Sequence, residues 1–236
     1  MSISFIIFLV LVISGMFLSV RFKKLTIPAA ITGGLLSLLI YYCSGFAGIA
    51  MMGVFFITGV MATSFKMERK RKEGLAEAHK GQRTAGQVFA NAGIAGIIGL
   101  LTYFFPGLAS KAPFLVAAAF ASATSDTVSS ELGNVYGKHF YNITSLKRSV
   151  KGKNGVISLE GSLFGIAGSA VIALIFCCFS GFGKSFFIIA VSGIAGNIAD
   201  SFLGATLEEK GLLKNNTVNF LNTLTAALTA WIIWIV

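Results

Sequence analysis

The chain has 236 residues, of which 55% are hydrophobic and only 12% are charged. A mean hydropathy of +0.82 excludes an ordinary soluble globular domain and indicates an integral membrane protein. The formal net charge is +10, but the cations are divided among short segments, which argues against nucleic acid as a partner. Three cysteines without metal-ligand spacing predict packed, reduced thiols.

Eight stretches of the chain are apolar enough to cross a bilayer, which takes about 20 residues. We therefore predict an all-α fold, a polytopic transmembrane helical bundle of about eight spans. It forms a single integral membrane domain over residues 1–236. In chain order the predicted spans are 3–20, 27–42, 46–65, 85–105, 113–133, 157–179, 185–207 and 218–236.

The positive charges predict an orientation, because cytoplasmic loops of membrane proteins collect Lys and Arg. With eight spans, all but two of the 19 Lys and Arg residues fall in alternate loops, and only Lys111 and Lys184 lie on the other side. This asymmetry predicts non-cytoplasmic termini and cytoplasmic loops at about 66–84 and 134–156. The predicted location is a multi-pass position in a membrane, the cell membrane if the source is prokaryotic, with the active site on the cytoplasmic side.

A polar cassette, Ser125-Asp126-Thr127-Val128-Ser129-Ser130-Glu131-Leu132-Gly133, interrupts the fifth apolar segment. A carboxylate at the bilayer centre costs ~2.5–3.5 kcal/mol even on the gentler insertion scale, so packing alone does not explain it. Carboxylates that act together with substrate phosphates are typical ligands of Mg²⁺. We predict a metal site from Asp126, Glu131 and, in the seventh span, Asp200.

The spacing within the cassette leaves two arrangements open. On an uninterrupted helix Asp126 and Glu131 point about 140° apart. Either the helix breaks near Gly133 and both acids converge, or the two acids serve separate sites. Asp126 and Asp200 each lie late in a span that runs toward the cytoplasm, so these two are expected near the same membrane face.

A basic turn with glycine follows the cassette. Backbone N–H groups of such a turn can form an anion-binding nest, and a helix N-terminus directly after it would favour an anion further. The spacing is not that of a Walker motif. The candidates for phosphate contacts in this turn are Lys147, Arg148, Lys151, Lys153, Asn154 and Gly155.

Further polar residues occupy helix faces that cannot point at lipid. Helix packing accounts for many of them, and substrate binding is the alternative for Ser130, Asn91, Asn197 and Asn219. Glu160 is either a first-turn acid that the helix dipole favours or a group that orients a cation. No Ser or Cys nucleophile pairs with a histidine, and none is required if the acceptor is a phosphate monoester, whose oxygen already bears charge.

Six segments in chain order carry a family resemblance: Gly86-Gln87-Val88-Phe89-Ala90-Asn91, the cassette 125–133, Arg148-Ser149-Val150-Lys151-Gly152-Lys153-Asn154-Gly155-Val156-Ile157-Ser158, Glu160-Gly161, Phe202-Leu203-Gly204-Ala205-Thr206-Leu207 and Val218-Asn219. They resemble the motifs of the plant phytyl-phosphate kinase family, which also has human, bacterial and archaeal members. The cassette is distantly similar to dolichol kinases and other membrane enzymes that use CTP. Val128 and Val156 stand where the family usually has an aromatic residue and a second glycine, which leaves the acceptor open.

The resemblance implies a multi-helical membrane enzyme that transfers a phosphoryl group from CTP, its co-substrate, to a prenyl monophosphate, with Mg²⁺ as cofactor. In this interpretation Asp126, Glu131, Lys151 and Glu160 are catalytic, and the remaining polar candidates bind phosphates and substrate.

Two other functions use the same features. A cytidylyltransferase would join CMP to a lipid phosphate and release pyrophosphate. A transporter would use membrane-embedded carboxylates along an ion or substrate path. The carboxylates lie next to a basic loop near one membrane face, which favours an enzyme.

Overall fold

The computed structural model describes residues 2–75 and 81–235. The helices are α1 (Ile3–Arg21), α2 (Ile27–Ser64), α3 (Met67–Lys72), α4 (Ala85–Phe104), α5 (Ala112–Tyr136), α6 (Leu159–Ser180), α7 (Lys184–Leu203) and α8 (Asn215–Ile235). A 3-10 turn (Pro106–Leu108) precedes α5, and one π-helical turn (Gly204–Glu208) extends α7. Two short antiparallel strands, β1 (Phe140–Asn142) and β2 (Val156–Ser158), form a hairpin before α6.

The prediction of a mainly helical, multi-pass membrane protein is confirmed. Within the described residues, six helices are long and apolar enough to cross a membrane: α1, α2, α4, α6, α8, and α7 with its π-helical turn. Part of the loop predicted at 66–84 is helical as α3, whereas residues 76–80 of that loop lie outside the described residues.

Helix α5 is the centre of the bundle. It packs against α2, α4, α6, α7 and α8, and its residues from Phe114 to Ser125 are all buried. Ala and Ser dominate this run, and small residues let neighbouring helix backbones approach closely. A helix that is surrounded by protein needs no lipid-facing apolar surface, so α5 can carry the Ser, Thr and Asp side chains of the cassette.

Helix α2 folds back on itself at Gly45. The backbone there has φ 55° and ψ −146°, a left-handed φ that glycine adopts readily. The halves lie side by side, because a Cβ atom placed on Gly33 would be 3.9 Å from Met52 Cε, whereas a straight helix would separate these residues by about 28 Å. The halves correspond to the predicted spans 27–42 and 46–65.

The start of the sixth predicted span was wrong. Residues 156–158 pair with Phe140–Asn142 as β2, and α6 begins at Leu159. Periodicity cannot distinguish a short apolar run such as Val-Ile-Ser from the first turn of a helix. The partner strand decides between them.

Glycines set the closest helix contacts. The pattern Gly161-x-x-x-Gly165 predicts a close approach, and this is confirmed: a Cβ on Gly161 would lie 2.9 Å from the Ser129 carbonyl oxygen, and one on Gly165 would lie 3.0 Å from Ser125 Oγ. Both contacts show that α6 packs closely against the cassette of α5.

The contact of α4 with α2 gives a test of the fold. A methyl group at Gly99 would lie 2.3 Å from the Leu39 carbonyl oxygen, and backbone atoms cannot yield as a flexible side chain can. We expect Gly99→Ala to lower the free energy of unfolding by about 1–3 kcal/mol. Thermal unfolding in detergent measures this, with Gly15→Ala as the matched control, because a Cβ at Gly15 meets nothing within 4 Å. Equal unfolding of Gly99→Ala and the parent would contradict the contact.

Candidate functional site

A polar cavity of about 250 Å³ lies between α4, α5, α7, α8 and the β-hairpin. Most of the sequence-predicted site residues line it, although they come from distant parts of the chain. The predicted residues on its wall are Asn91, Asp126, Ser130, Glu131, Lys153, Asn154, Gly155, Asn197, Asp200 and Asn219. Four predicted residues are not on the wall: Lys147, Arg148, Lys151 and Glu160.

Asp126 of α5 and Asp200 of α7 meet in this cavity. Their carboxyl groups are within hydrogen-bonding reach of each other. Asn222 Nδ2 donates a hydrogen bond of 2.8 Å to Asp200 Oδ2, and Ser122 Oγ donates one of 3.0 Å to Asn222 Oδ1. Ser122 and Asn222 are fully buried, so a chain of hydrogen bonds through α8 fixes the Asp200 carboxylate.

The charges around this pair suit a cation with phosphate. Asp126 experiences repulsion from Asp200 and Glu208 and attraction from Arg83. Two neighbouring carboxylates are the protein share of a typical Mg²⁺ site, in which water and substrate phosphates supply the other oxygens. Across the described parts of the chain, no three His, Cys, Asp or Glu side chains form a group that could hold a metal ion by themselves. The donor set therefore fits Mg²⁺ only together with a phosphate ligand.

Glu131 is separated from the Asp126–Asp200 pair, against the expectation of a three-carboxylate site. Helix α5 continues through Gly133 to Tyr136, so Asp126 and Glu131 diverge as an unbroken helix requires. Lys70 Nζ of α3 donates to Glu131 Oε2 at 2.5 Å and to the carbonyl oxygens of Ala62 and Thr63 at 3.0 and 2.7 Å. The side chains of Lys70 and Glu131 are 2% and 10% exposed. Glu131 touches the cavity wall, but its charge is neutralised by Lys70.

The basic turn contributes its second half to the cavity. Lys153, Asn154 and Gly155 line the wall, and Gly155 has φ 68°. A Cβ on Gly155 would lie 2.2 Å from Ala205 Cβ. Glycine is therefore required twice over at this position, for its backbone conformation and for the close contact with the π-helical turn.

The first half of the basic turn faces away from the cavity. Lys147 and Arg148 are exposed between β1 and β2. Lys151 Nζ donates to the Glu73 carboxylate after α3. The hydrogen bond from Lys151, with a second from Arg69, lowers the pKa of Glu73. This pairing persists at neutral pH and is lost only as the pH falls through the lowered pKa.

Helix α6 begins at the cavity but is already capped. The Ser158 hydroxyl accepts a hydrogen bond of 3.1 Å from the Gly161 amide, so one of the N–H groups expected for an anion is in use. Glu160 lies outside the cavity, where its carboxylate accepts a 3.4 Å hydrogen bond from the Lys138 amide. The structure thus gives Glu160 no contact with the Asp126–Asp200 pair.

The asparagines have different roles. Asn197 bonds to Ser125 at 3.1 Å and to Ser129 at 3.2 Å, which ties α7 to α5. Asn91 donates to the Gln87 carbonyl oxygen at 2.9 Å, whereas its buried Oδ1 has no hydrogen-bond partner among the described residues. A buried acceptor without a partner is costly, and an amide oxygen can accept a hydrogen bond but cannot donate one to a phosphate oxygen.

Sequence reasoning missed Arg83 and Glu208 as site residues. Arg83 is buried, and its guanidinium lies 5.2 Å from the centre of the Phe55 ring. Gly59 leaves the space it needs, since a Cβ there would be 2.4 Å from Arg83 Nη2. The count of Lys and Arg that predicted the membrane orientation included Arg83 only as one of many loop cations. Its place just before a helix with Gln87 and Asn91 on one face was the available signal.

The chain resembles several known proteins. Residues 9–227 match the model of a family described as "Integral membrane protein DUF92". The chain is 31% identical over 204 residues to Protein VTE6, chloroplastic, of Arabidopsis thaliana, a match to 83% of this chain but only 61% of the plant protein. It is 34% identical over 197 residues to an uncharacterized membrane protein of Methanocaldococcus jannaschii, covering 84% of this chain and 80% of the archaeal one. It is 30% identical to Protein PGR of Arabidopsis thaliana, over 91% of each chain. No solved structure matches the chain.

The Lys70–Glu131 contact predicts a structural effect. Glu131→Gln leaves the buried Lys70 ammonium without its carboxylate, and removing one partner of a buried pair costs about 3–5 kcal/mol. We expect a loss of stability of this order in thermal unfolding. The double variant Lys70→Met/Glu131→Leu removes both charges and should be more stable than Glu131→Gln, although the Ala62 and Thr63 carbonyl oxygens lose the Lys70 donor. A Glu131→Gln protein as stable as the parent would contradict this role.

Proposed function

The chain belongs to the integral membrane protein family DUF92, and from this premise we propose that it is a kinase that converts a polyprenyl monophosphate to the diphosphate. CTP is the proposed phosphoryl donor, and Mg²⁺ the proposed cofactor. The resemblance of its motifs to those of phytyl-phosphate kinases supports the substrate class. The meeting of Asp126 and Asp200 in a polar cavity beside Arg83 and Lys153 is the observation that carries the proposal.

The proposed reaction needs alignment and charge neutralisation more than it needs a protein base. An oxygen of the prenyl monophosphate attacks the γ-phosphorus of the nucleotide, a new P–O bond forms, and the bond to the β-phosphate oxygen breaks, so that CDP leaves. The acceptor oxygen is already anionic, so no side chain has to remove a proton from it. This agrees with a cavity that contains carboxylates and cations and no paired nucleophile.

In the proposed reaction the acidic and the basic side chains have different roles. Asp126 and Asp200 would hold Mg²⁺, which when bound neutralises phosphate charge. Asn222 and Ser122 keep Asp200 in place for that contact. Arg83 and Lys153 would bind phosphate oxygens directly, since guanidinium and ammonium donors form strong hydrogen bonds with phosphate.

Asn91 and the Asn154–Gly155 turn would position the nucleotide. Asn91 Oδ1 would accept a hydrogen bond from a ribose hydroxyl or a base amino group, because an amide oxygen acts only as an acceptor. The amides of Lys153 and Val156 have partners of their own, the carbonyl oxygens of Val150 and Lys153. The Asn154 and Gly155 amides are the members of the turn that would bind an anion.

The proposed membrane arrangement has eight crossings and non-cytoplasmic termini. The two halves of α2 and the buried α5 would add to the other long apolar helices to give this number. The basic turn at the cavity and the cations of α3 lie at the same end of the bundle, joined by Glu73 and Lys151. Because cations collect on the cytoplasmic side, the cavity would open to the cytoplasm.

The carboxylate pair gives the central test of the kinase. We expect Asp126→Asn and Asp200→Asn each to lower kcat roughly 100-fold or more, since each removes charge that would bind the metal and phosphate. The assay follows transfer from [γ-³²P]CTP to geranylgeranyl phosphate in proteoliposomes with MgCl₂. Glu209→Gln is the matched control, because Glu209 is an exposed acid next to the wall residue Glu208 and does not line the cavity.

The labelled assay also separates the other candidate functions. Label from the γ-phosphate on the lipid supports the kinase, whereas label from the α-phosphate would show cytidylyl transfer and overturn it. Solute uptake that depends on Asp126, without nucleotide turnover, would favour a transporter and contradict both enzymes.

The two halves of the basic turn should differ in effect. Lys153→Ala removes a cation from the cavity wall, and we expect the KM for CTP to rise roughly tenfold, the loss of one charged hydrogen bond. Lys151→Ala should affect the KM less, because Lys151 is engaged by Glu73 outside the wall. Steady-state kinetics of the two variants measure the difference. A larger effect of Lys151→Ala would contradict the placement of the turn.

A further inference from the structure

An apolar groove of about 410 Å³ lies on the other side of α4 from the polar cavity. Its walls are α1, both halves of α2, and α4. Its lining includes Gly15, Gly53, Val88 and Ala92. Its volume falls within the range of about 300–1,000 Å³ that is typical of small-molecule pockets.

Helix α4 separates the two spaces with two different faces. Gln87 and Asn91, four residues apart, line the polar cavity. Val88 and Ala92, one position further in each turn, line the apolar groove. A one-residue step rotates a helix face by about 100°, so the same two turns of α4 present amides to one space and hydrocarbon to the other.

Arg83 lines both spaces. Its backbone is fixed between α1 and α2, where its amide donates to the Lys24 carbonyl oxygen at 2.9 Å and its carbonyl oxygen accepts from the Thr26 amide at 3.1 Å. Its guanidinium is held against the Phe55 ring and Gly59. The polar cavity and the groove therefore share one cationic residue, placed where the two spaces adjoin.

We propose that the groove binds the isoprenoid tail of the lipid phosphate, with its phosphate on Arg83 and its tail between α1, α2 and α4. This inference rests on the proposed kinase and adds the place and the recognition of its acceptor. The polar cavity contains carboxylates and cations, Arg83 lies where the cavity meets the groove, and the groove is lined by hydrocarbon. A ligand with an anionic head and an apolar tail matches this order. A free nucleotide or a phosphate ion has no part that fits the groove.

The groove is open enough to accept a tail from the bilayer. Helix α1 forms its outer wall and is buried only at Phe8 and Ser19, so this wall is a peripheral helix. From Ser19 to Leu11 the groove follows α1 for eight residues, about 12 Å at the usual rise. It therefore holds the isoprene units next to the phosphate, and its far end lies toward Ile49 and the Gly45 bend.

Two glycines provide a kinetic test. Gly15 and Gly53 line the groove from opposite walls, and a Cβ on either would meet nothing within 4 Å. Gly15→Phe and Gly53→Phe should fill the groove without a backbone clash and raise the KM for geranylgeranyl phosphate roughly tenfold or more. They should leave kcat/KM for dimethylallyl phosphate, which has a single isoprene unit, close to the parent value. Met61→Phe is the control, because Met61 is an exposed residue of the same half of α2 outside the groove.

Photo-crosslinking tests the groove independently of catalysis. A geranylgeranyl phosphate analogue with a diazirine on its second isoprene unit is irradiated with the full-length protein in phosphatidylglycerol vesicles, and the labelled peptides are identified by mass spectrometry. We expect labels on α1, α2 and α4 that unlabelled geranylgeranyl phosphate displaces and that Gly53→Phe weakens.

The outcomes separate the two proposals. Displaceable labels on α6, α7 or α8 would contradict binding of the tail in the groove, whatever the kinase assay shows. Labels on α1 and α2 that excess geranylgeranyl phosphate does not displace would show that bulk lipid fills the groove. This result would also contradict a specific site for the tail. Displaceable labels in the groove without phosphoryl transfer would uphold the tail site and overturn the kinase alone.

Discussion

The cost of placing carboxylates in a membrane protein governs this structure. Asp126 and Asp200 are carried by helices of a membrane bundle, and carboxylates in such helices persist only where protein, water or ligand surrounds them. The fold meets this requirement by burying α5 among five other helices and by opening a polar cavity at the end of α5 that carries the cassette. Small residues in the first half of α5 and glycines of α6 make this arrangement compact.

The same requirement separates the two acids of the cassette. Asp126 lies within hydrogen-bonding reach of the Asp200 carboxyl group, whereas Glu131 is paired with the Lys70 ammonium. Asp126 therefore faces the polar cavity together with Asp200, and Glu131 holds α3 against the bundle. A second pair, Glu73 with Lys151, ties the end of α3 to the basic turn. The polar segment around α3 is thus fixed at both the bundle and the β-hairpin.

Sequence reasoning predicted most of the long helices well, because six of those in the described residues are long apolar runs. It also predicted that Asp126 and Asp200 share a membrane face, since both lie late in spans of the same direction. It could not choose between one and two sites for Asp126 and Glu131, because the choice depended on whether α5 breaks at Gly133. The family resemblance implied catalytic roles for Lys151 and Glu160. It could not show that Lys151 contacts Glu73 and that Glu160 contacts the Lys138 amide, because these partners are distant in the chain. Arg83 was missed because a residue just outside a helix shows no periodicity.

The two faces of α4 impose a constraint on how this sequence can vary over evolutionary time. Point substitutions can adjust either face separately, exchanging one amide or one hydrocarbon side chain for another. A single-residue insertion between Thr84 and Asn91 cannot be absorbed in this way. When placed between Gln87 and Asn91, it would rotate one amide by about 100° relative to the other, so that both could no longer line the cavity. Insertions and deletions should therefore be rare in α4 and more common in the loops between helices. Substitutions in α4 should keep one face polar and the other face apolar.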